Sequence, residues 1–164
     1  EYAYKMIYPV LVITQTIPTV AIAPLLVLWM GYGILPKIML ILLTSFFPIT
    51  IGLLDGFHSV DRDMLNLLKT MGATSFQNFI HLKLPSSLGY FFAGLRISVS
   101  YSIIGAVVAE WLGGYDGLGV YMTRVRKSYS FDKMFAVIFL ISGISLLLMY
   151  FVKKIQRWCM TWEK

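Results

Sequence analysis

Charged residues are scarce in this chain of 164 residues. Asp, Glu, Lys and Arg together make up 13% of it, whereas they form roughly a quarter of an average soluble domain. Hydrophobic residues make up 58%, and the mean hydropathy is +0.75. Because so few charges could not cover the surface of a soluble domain of this size, the composition predicts a protein that exposes much of its surface to lipid.

Cysteine and histidine are nearly absent as well. Cys159 is the single cysteine, which excludes an internal disulfide. His58 and His81 show no metal-ligand spacing with each other or with cysteine. The sequence contains neither a Gly-x-Ser-x-Gly elbow nor a His-Glu-x-x-His pair. We therefore expect no catalytic residue, no metal and no cofactor, and a chain that is not an enzyme.

Positive charge exceeds negative charge, with a formal net charge of +6. The basic residues are spread thinly between apolar runs, without the stripe that nucleic-acid binding requires. No nucleic-acid partner is expected. Lys and Arg concentrate in the cytoplasmic loops of membrane proteins, so their distribution is interpreted as a topology signal.

Four apolar stretches predict membrane-spanning helices. A span needs about 20 predominantly apolar residues. The predicted spans are about 19–31, 36–54, 88–112 and 134–152. Pro9, Pro18 and Pro24 interrupt the first stretch, so a bent or interfacial helix at about 4–17 is expected before it. The fold class is an all-α, polytopic membrane helix bundle forming one domain over residues 1–164.

This arrangement places residues 1–17, 55–87 and 153–164 on one side of the bilayer. Eight of the fourteen basic residues fall there. Five lie on, or border, the opposite side, and Arg96 lies inside a span. The bias predicts a cytoplasmic location for residues 55–87.

The polar segment 55–87 predicts two short amphipathic helices. Ser59 is the expected cap of the first, with Asp61 and Asp63 in its first turn. Met64, Leu67, Leu68 and Met71 recur on one face of that helix.

Gly72 is the expected stop of the first helix, because glycine adopts positive φ freely. Thr74 or Ser75 starts the second helix and Pro85 closes it. Such a pair can insert into a groove on a partner protein or lie on the lipid surface, and the pattern alone leaves both open.

The same segment resembles the coupling motif of ABC importer permeases. Gly72 is followed, after nine residues, by Leu82-Lys83-Leu84-Pro85. In that family the motif reads Glu-Ala-Ala, three residues, Gly, nine residues, Ile, any residue, Leu-Pro. Here Asn66-Leu67-Leu68 stands in place of Glu-Ala-Ala. The missing carboxylate removes a charge contact but leaves the apolar face intact.

Further short motifs are similar to the nitrate, sulfonate and taurine branch of that family. This branch also includes importers of pyrimidine thiamine precursors and of riboflavin-like compounds. The motifs occur in the same order, at 17–25, 28–31, 93–96, 109–113 and 117–119. The resemblance covers nearly the whole chain and implies the type I ABC importer permease fold in the bacterial inner membrane.

The resemblance also implies the partners and the coupling residues. In the family, two permease subunits, here expected as a homodimer, work with two ATP-binding cassette ATPases and an external solute-binding protein. Six spans form the core, so the four spans here, and a chain that begins at Glu1, predict missing N-terminal spans. The implied ATPase-coupling residues are Asn66, Leu67, Leu68, Gly72, Ala73, Leu82, Leu84 and Pro85.

Glu110 and Arg96 are the charged residues inside predicted spans, and both are candidates for the transport pathway or its gate. The alternative is that Glu110 reaches the outer surface and Arg96 the cytoplasmic headgroups. The substrate stays open among sulfonates, nitrate, taurine, pyrimidines and flavin-like compounds. The competing functions are a membrane scaffold without transport activity and an intramembrane enzyme.

Overall fold

The computed structural model describes residues 2–160, with the backbone alone for residues 2–5, 7 and 19. Within this range the chain is helical and contains no strand. The helices are α1 Tyr2–Gln15, α2 Thr19–Met30, α3 Leu35–His58, α4 Arg62–Thr70, α5 Ser75–Asn78, α6 Leu84–Gly113, α7 Leu118–Lys127 and α8 Phe131–Cys159. A π-helical turn, Phe79–Lys83, joins α5 to α6.

Three helices of the described chain are long and apolar enough to cross a membrane: Leu35–His58, Ser75–Gly113 and Phe131–Cys159. A fourth crossing results if α1 and α2, which meet at a bend of 88°, are taken as one broken span. These helices confirm the predicted fold class, an all-α membrane helix bundle.

The predicted span at 19–31 agrees in its bounds with helix α2, which is short for a membrane crossing. Helix α2 has 12 residues, or about 18 Å at 1.5 Å per residue, while the hydrocarbon core is about 30 Å thick. The break before α2, at Ile17 and Pro18, shares a cavity with Leu43 and Phe47 from the middle of α3. The segment therefore counts as a crossing only if α1 and α2 together form one broken span, with the bend that was expected before residue 19.

Helices α3 and α6 form the central pair, and small residues bring their backbones together. A Cβ atom on Gly52 would lie 2.7 Å from the carbonyl oxygen of Tyr90, and one on Gly56 would lie 2.8 Å from Ser87. The Ser98 hydroxyl donates a 3.0 Å hydrogen bond to the carbonyl of Ser45 across the pair. Close backbone approach at small residues is typical of helix packing in lipid, where apolar side chains gain little by leaving the bilayer.

The segments that connect the long helices lie at the two ends of the α3–α6 pair. At one end, Gly113 lies against the ring of Tyr32. At the other end, Gly56 packs on Ser87, and Gly89 lies near Met160. Segments 32–36 and 113–130 therefore share one end, and 56–87 shares the other with the end of α8. Which end faces the cytoplasm depends on the charge bias and stays a prediction.

Two expected boundaries in the polar segment are wrong. Ser59 ends α3, and Asp61 is the cap of α4, its side chain accepting from the N–H of Asp63 at 2.9 Å. Pro85 does not close the second helix, which continues through the π turn into α6 as one helix over Ser75–Gly113. A proline ring disturbs a regular helical turn, and the widened turn lies directly before it.

Candidate functional site

The segment between α3 and α6 presents apolar side chains outward. Met64 and Leu67 of α4 are 55% and 59% exposed, Met71 directly after α4 is 75% exposed, and Phe76 of α5 is 71% exposed. No residue of α4 is buried. The apolar face predicted from the sequence is therefore present, and nothing in the described chain covers it.

A glycine turn fixes the angle between α4 and α5. Gly72 has φ +82°, as expected for a residue that ends a helix in the left-handed conformation. The N–H of Ala73 donates to the carbonyl of Leu68, and that of Gly72 to the carbonyl of Lys69, both at 3.0 Å. This pair of bonds is the Schellman motif, which satisfies the last carbonyls of α4.

The start of α5 is fixed by a capping box, with Thr74 rather than Ser75 as the cap. The N–H of Thr74 donates to Oε1 of Gln77 at 2.8 Å, and the N–H of Gln77 donates to Oγ1 of Thr74 at 3.3 Å. Such reciprocal bonds satisfy two otherwise unpaired donors. With the glycine turn, they give the α4–α5 pair a defined geometry.

The eight predicted coupling residues are distributed over the α4–α5 pair and the start of α6. Leu68, Gly72 and Ala73 line one cleft together with Gln77 and His81. Asn66 lines a different cleft, against the end of α3. Leu67 points outward, 59% exposed. The remaining three are Leu82, Leu84 and Pro85, at the junction of the π turn with α6.

The π turn is a feature that the sequence analysis missed. The N–H of Leu84 donates to the carbonyl of Phe79, five residues back. The ring of Phe79 contacts that of Phe57 in α3, with centroids 5.7 Å apart. Asn78, directly before the turn, is buried, and its side-chain oxygen has no hydrogen-bond partner within residues 2–160. Widened turns of this kind often occur at functional positions.

Glu110 lies at the opposite end of α6, where it contacts the start of α7. One carboxylate oxygen accepts a 2.6 Å hydrogen bond from the N–H of Gly119. Gly117, with φ +133°, packs directly on the carboxylate, which occupies the space of a Cβ atom. A carboxylate at a helix N-terminus is favoured by the helix dipole. Glu110 therefore holds α7 against α6, an arrangement that neither sequence interpretation anticipated.

Substitution of Glu110 should loosen α7 in two steps. Gln keeps an oxygen acceptor for Gly119 but removes the charge, which contributes about 0.3–1 kcal/mol at a helix N-terminus. Ala removes both. We expect hydrogen exchange of the α7 amides to increase from wild type to Glu110→Gln and further to Glu110→Ala, with uptake impaired and membrane insertion retained. Equal exchange in all three proteins would contradict this role.

Arg96 is remote from Glu110. The two are fourteen residues apart on one helix, which corresponds to about 21 Å. Arg96 lines an open groove with Ala93 of α6 and with Gln156 and Met160 near the end of α8. The structure therefore does not bring the two charged residues into one site, and a pathway role for either stays a prediction.

Comparison with known proteins identifies the family. Residues 1–159 match the family described as "Binding-protein-dependent transport system inner membrane component". The chain is 42% identical over 164 residues to the formylaminopyrimidine transport permease protein ThiX of Halalkalibacterium halodurans, covering 100% of this chain and 66% of that protein. It is 31% identical to the riboflavin transport system permease protein RibX of Chloroflexus aurantiacus, over 94% of this chain and 58% of that one.

A third relative is the taurine transport system permease protein TauC of Escherichia coli, 30% identical over 94% of this chain and 56% of that protein. The chain thus spans between 56% and 66% of the length of these three curated relatives. The family match extends over nearly all of its residues, and its long apolar helices agree with a place in the inner membrane. The chain therefore belongs to the family of inner membrane components of binding-protein-dependent transport systems.

Proposed function

We propose that this chain forms part of the permease subunit of an ATP-driven ABC importer. The family match and the helices of membrane-spanning length support this proposal. The α4–α5 pair contacts an ATP-binding cassette ATPase, whose groove covers the exposed apolar side chains of the pair. An apolar helix face that docks into a groove is a common recognition mode.

The main support for the coupling role is that α5 continues into α6 as one helix. Residues Ser75–Gly113 form one helix, so a displacement of α5 acts on a membrane span without an intervening loop. ATP-driven closure of the ATPases moves the α4–α5 pair, and the spans alternate between inward-open and outward-open states. The test is the substitution of Gly72, with uptake and ATP hydrolysis measured in the same vesicles.

The remaining partners are an extracytoplasmic solute-binding protein and a second permease subunit, here expected as a homodimer. The substrate is a small organic solute or anion of the kind named for the relatives: a formylaminopyrimidine, riboflavin, an aliphatic sulfonate or taurine. The chain itself carries no ATPase site in this proposal. The competing functions, a scaffold or an intramembrane enzyme, have no comparable support from the relatives, which are named as transport permeases.

The proposed topology predicts opposite labelling of two exposed positions. In a Cys159→Ser background, a cysteine replacing Asn66 should react with a membrane-impermeant maleimide only from the cytoplasmic side. A cysteine replacing Tyr115, which is 76% exposed, should react only from outside. The reason is the excess of Lys and Arg on the side that holds residues 55–87. Labelling of both positions from the same side would contradict the proposal.

A further inference from the structure

We propose that a basic groove beside the α4–α5 pair binds the phosphate of an anionic phospholipid headgroup. The groove lies between the end of α3, the length of α4 and the π turn, with a volume of about 630 Å³. Basic side chains from all three elements line it: His58, Arg62, Lys69 and Lys83. None of its lining residues in the described chain is a carboxylate. We call it the basic groove.

The basic groove lies at the depth of the headgroups. Lys37 and Asp55 are eighteen residues apart on α3, or about 27 Å, which is close to the hydrocarbon thickness of about 30 Å. The last turn of α3, with His58, therefore emerges among the headgroups. This inference rests on the cytoplasmic placement proposed for residues 55–87, and the cytoplasmic leaflet is the anionic one.

The lining favours a lipid over a free anion. Leu54, Phe57 and Leu65 lie in the groove beside the cations. Acyl chains and glycerol carbons can cover these apolar groups while the phosphate meets the ammonium groups. Inorganic phosphate or a soluble phosphate ester would leave them exposed to water. Basic pockets at the cytoplasmic ends of membrane helices are known to take lipid headgroups.

Lys69 and Lys83 are the residues on which the proposal depends. His58 and Arg62 have further interactions within the chain, as does Asp55. The nearby Asp61 accepts from the N–H of Asp63 at the start of α4. Lys69 is exposed in the last turn of α4, and Lys83 is half-buried in the π turn, so the two lysines line the groove from two different elements.

The experiment uses the full-length permease assembled with its ATPase subunits. Retention of phosphatidylglycerol and phosphatidylcholine is measured by native mass spectrometry and by titration with a fluorescent short-chain phosphatidylglycerol. We expect wild type to retain phosphatidylglycerol preferentially. The variant Lys69→Gln/Lys83→Gln should lose affinity by a factor on the order of tenfold, given the contribution of each basic residue near an anionic surface. Inorganic phosphate should compete only weakly.

The matched control is Lys153→Gln/Lys154→Gln, two exposed lysines at the end of α8 on the same side. It should bind phosphatidylglycerol like wild type. Equal loss in both double variants, or no preference in wild type, would overturn the proposal. Strong binding of inorganic phosphate alone would also overturn it. The same holds if the Lys69→Gln/Lys83→Gln variant loses the ATPase but still binds phosphatidylglycerol like wild type. If that variant misfolds, the single Lys69→Gln change at the exposed position takes its place.

A cysteine-labelling result that places Asn66 outside would refute the topology. The lipid titration would still test the basic groove. It compares the affinities of the two double variants in detergent, where the result does not depend on which leaflet the groove faces.

Discussion

Replacement of Gly72 by valine should abolish substrate uptake while the permease still inserts and reaches normal levels. Gly72 has φ +82°, and apart from Gly72 and its two chain neighbours no atom lies within 4 Å of the position of its Cβ. The effect therefore comes from the backbone and not from a clash. A β-branched residue in this conformation costs about 1–3 kcal/mol. The turn should relax to another angle, and the α4–α5 pair should no longer fit the ATPase groove.

Uptake and ATP hydrolysis are measured together in reconstituted vesicles. We expect weaker ATPase binding, or hydrolysis without uptake. Gly72→Asn is the matched control at the same position, because asparagine tolerates positive φ and should retain much of the coupling. Gly143→Val controls for the added side chain, since Gly143 in α8 has open space around it. Wild-type values of both rates in Gly72→Val would refute the transmission role.

Replacement of Gly94 by valine should prevent stable packing of α3 on α6. A Cβ atom on Gly94 would overlap the carbonyl oxygen of Pro48 and lie 3.1 Å from its carbonyl carbon and 3.2 Å from the Cα of Ile49. These are backbone atoms, which cannot move aside as the end of a side chain can. Overpacking of this kind costs about 1–3 kcal/mol, and more where the backbone must shift.

The measurement is the melting temperature in detergent together with the monodisperse fraction in gel filtration. Gly94→Val should lower both strongly, and Gly94→Ala should lower them less. Gly143→Val again serves as the control, because it adds the same side chain at an open position. A melting temperature for Gly94→Val equal to that of Gly143→Val would show that the two helices do not pack as described.

The glycine turn was predictable because its cause is local. Gly72 ends an apolar run of helical period, and Thr74 followed three residues later by Gln77 matches a capping box. Both features need only the geometry of a few neighbouring residues. Ser59 was wrongly predicted as the cap of α4, because serine and aspartate are both good N-cap residues. Since α3 extends to His58 and ends at Ser59, α4 begins later and Asp61 is its cap.

The role of Glu110 was not predictable, because its partner is separated from it by a loop. Residues 111–118 carry no signal that the chain returns to place the N–H of Gly119 on the carboxylate. A charged residue near the end of a span is compatible with a pathway, with snorkelling and with a helix cap. The structure explains why glycine occupies positions 117 and 119, because the Glu110 carboxylate fills the space that their side chains would need.

The location in a membrane, the position of the polar segment along the chain and the resemblance to importer permeases could all be predicted from the sequence. These properties follow from composition, from runs of apolar residues and from motifs of fixed spacing. That Pro85 leaves the helix unbroken, and that α3 and α6 touch through Gly52 and Gly94, became visible only in the folded chain. The physical reason is that each depends on contacts between residues distant in sequence, or on how a backbone adjusts to them.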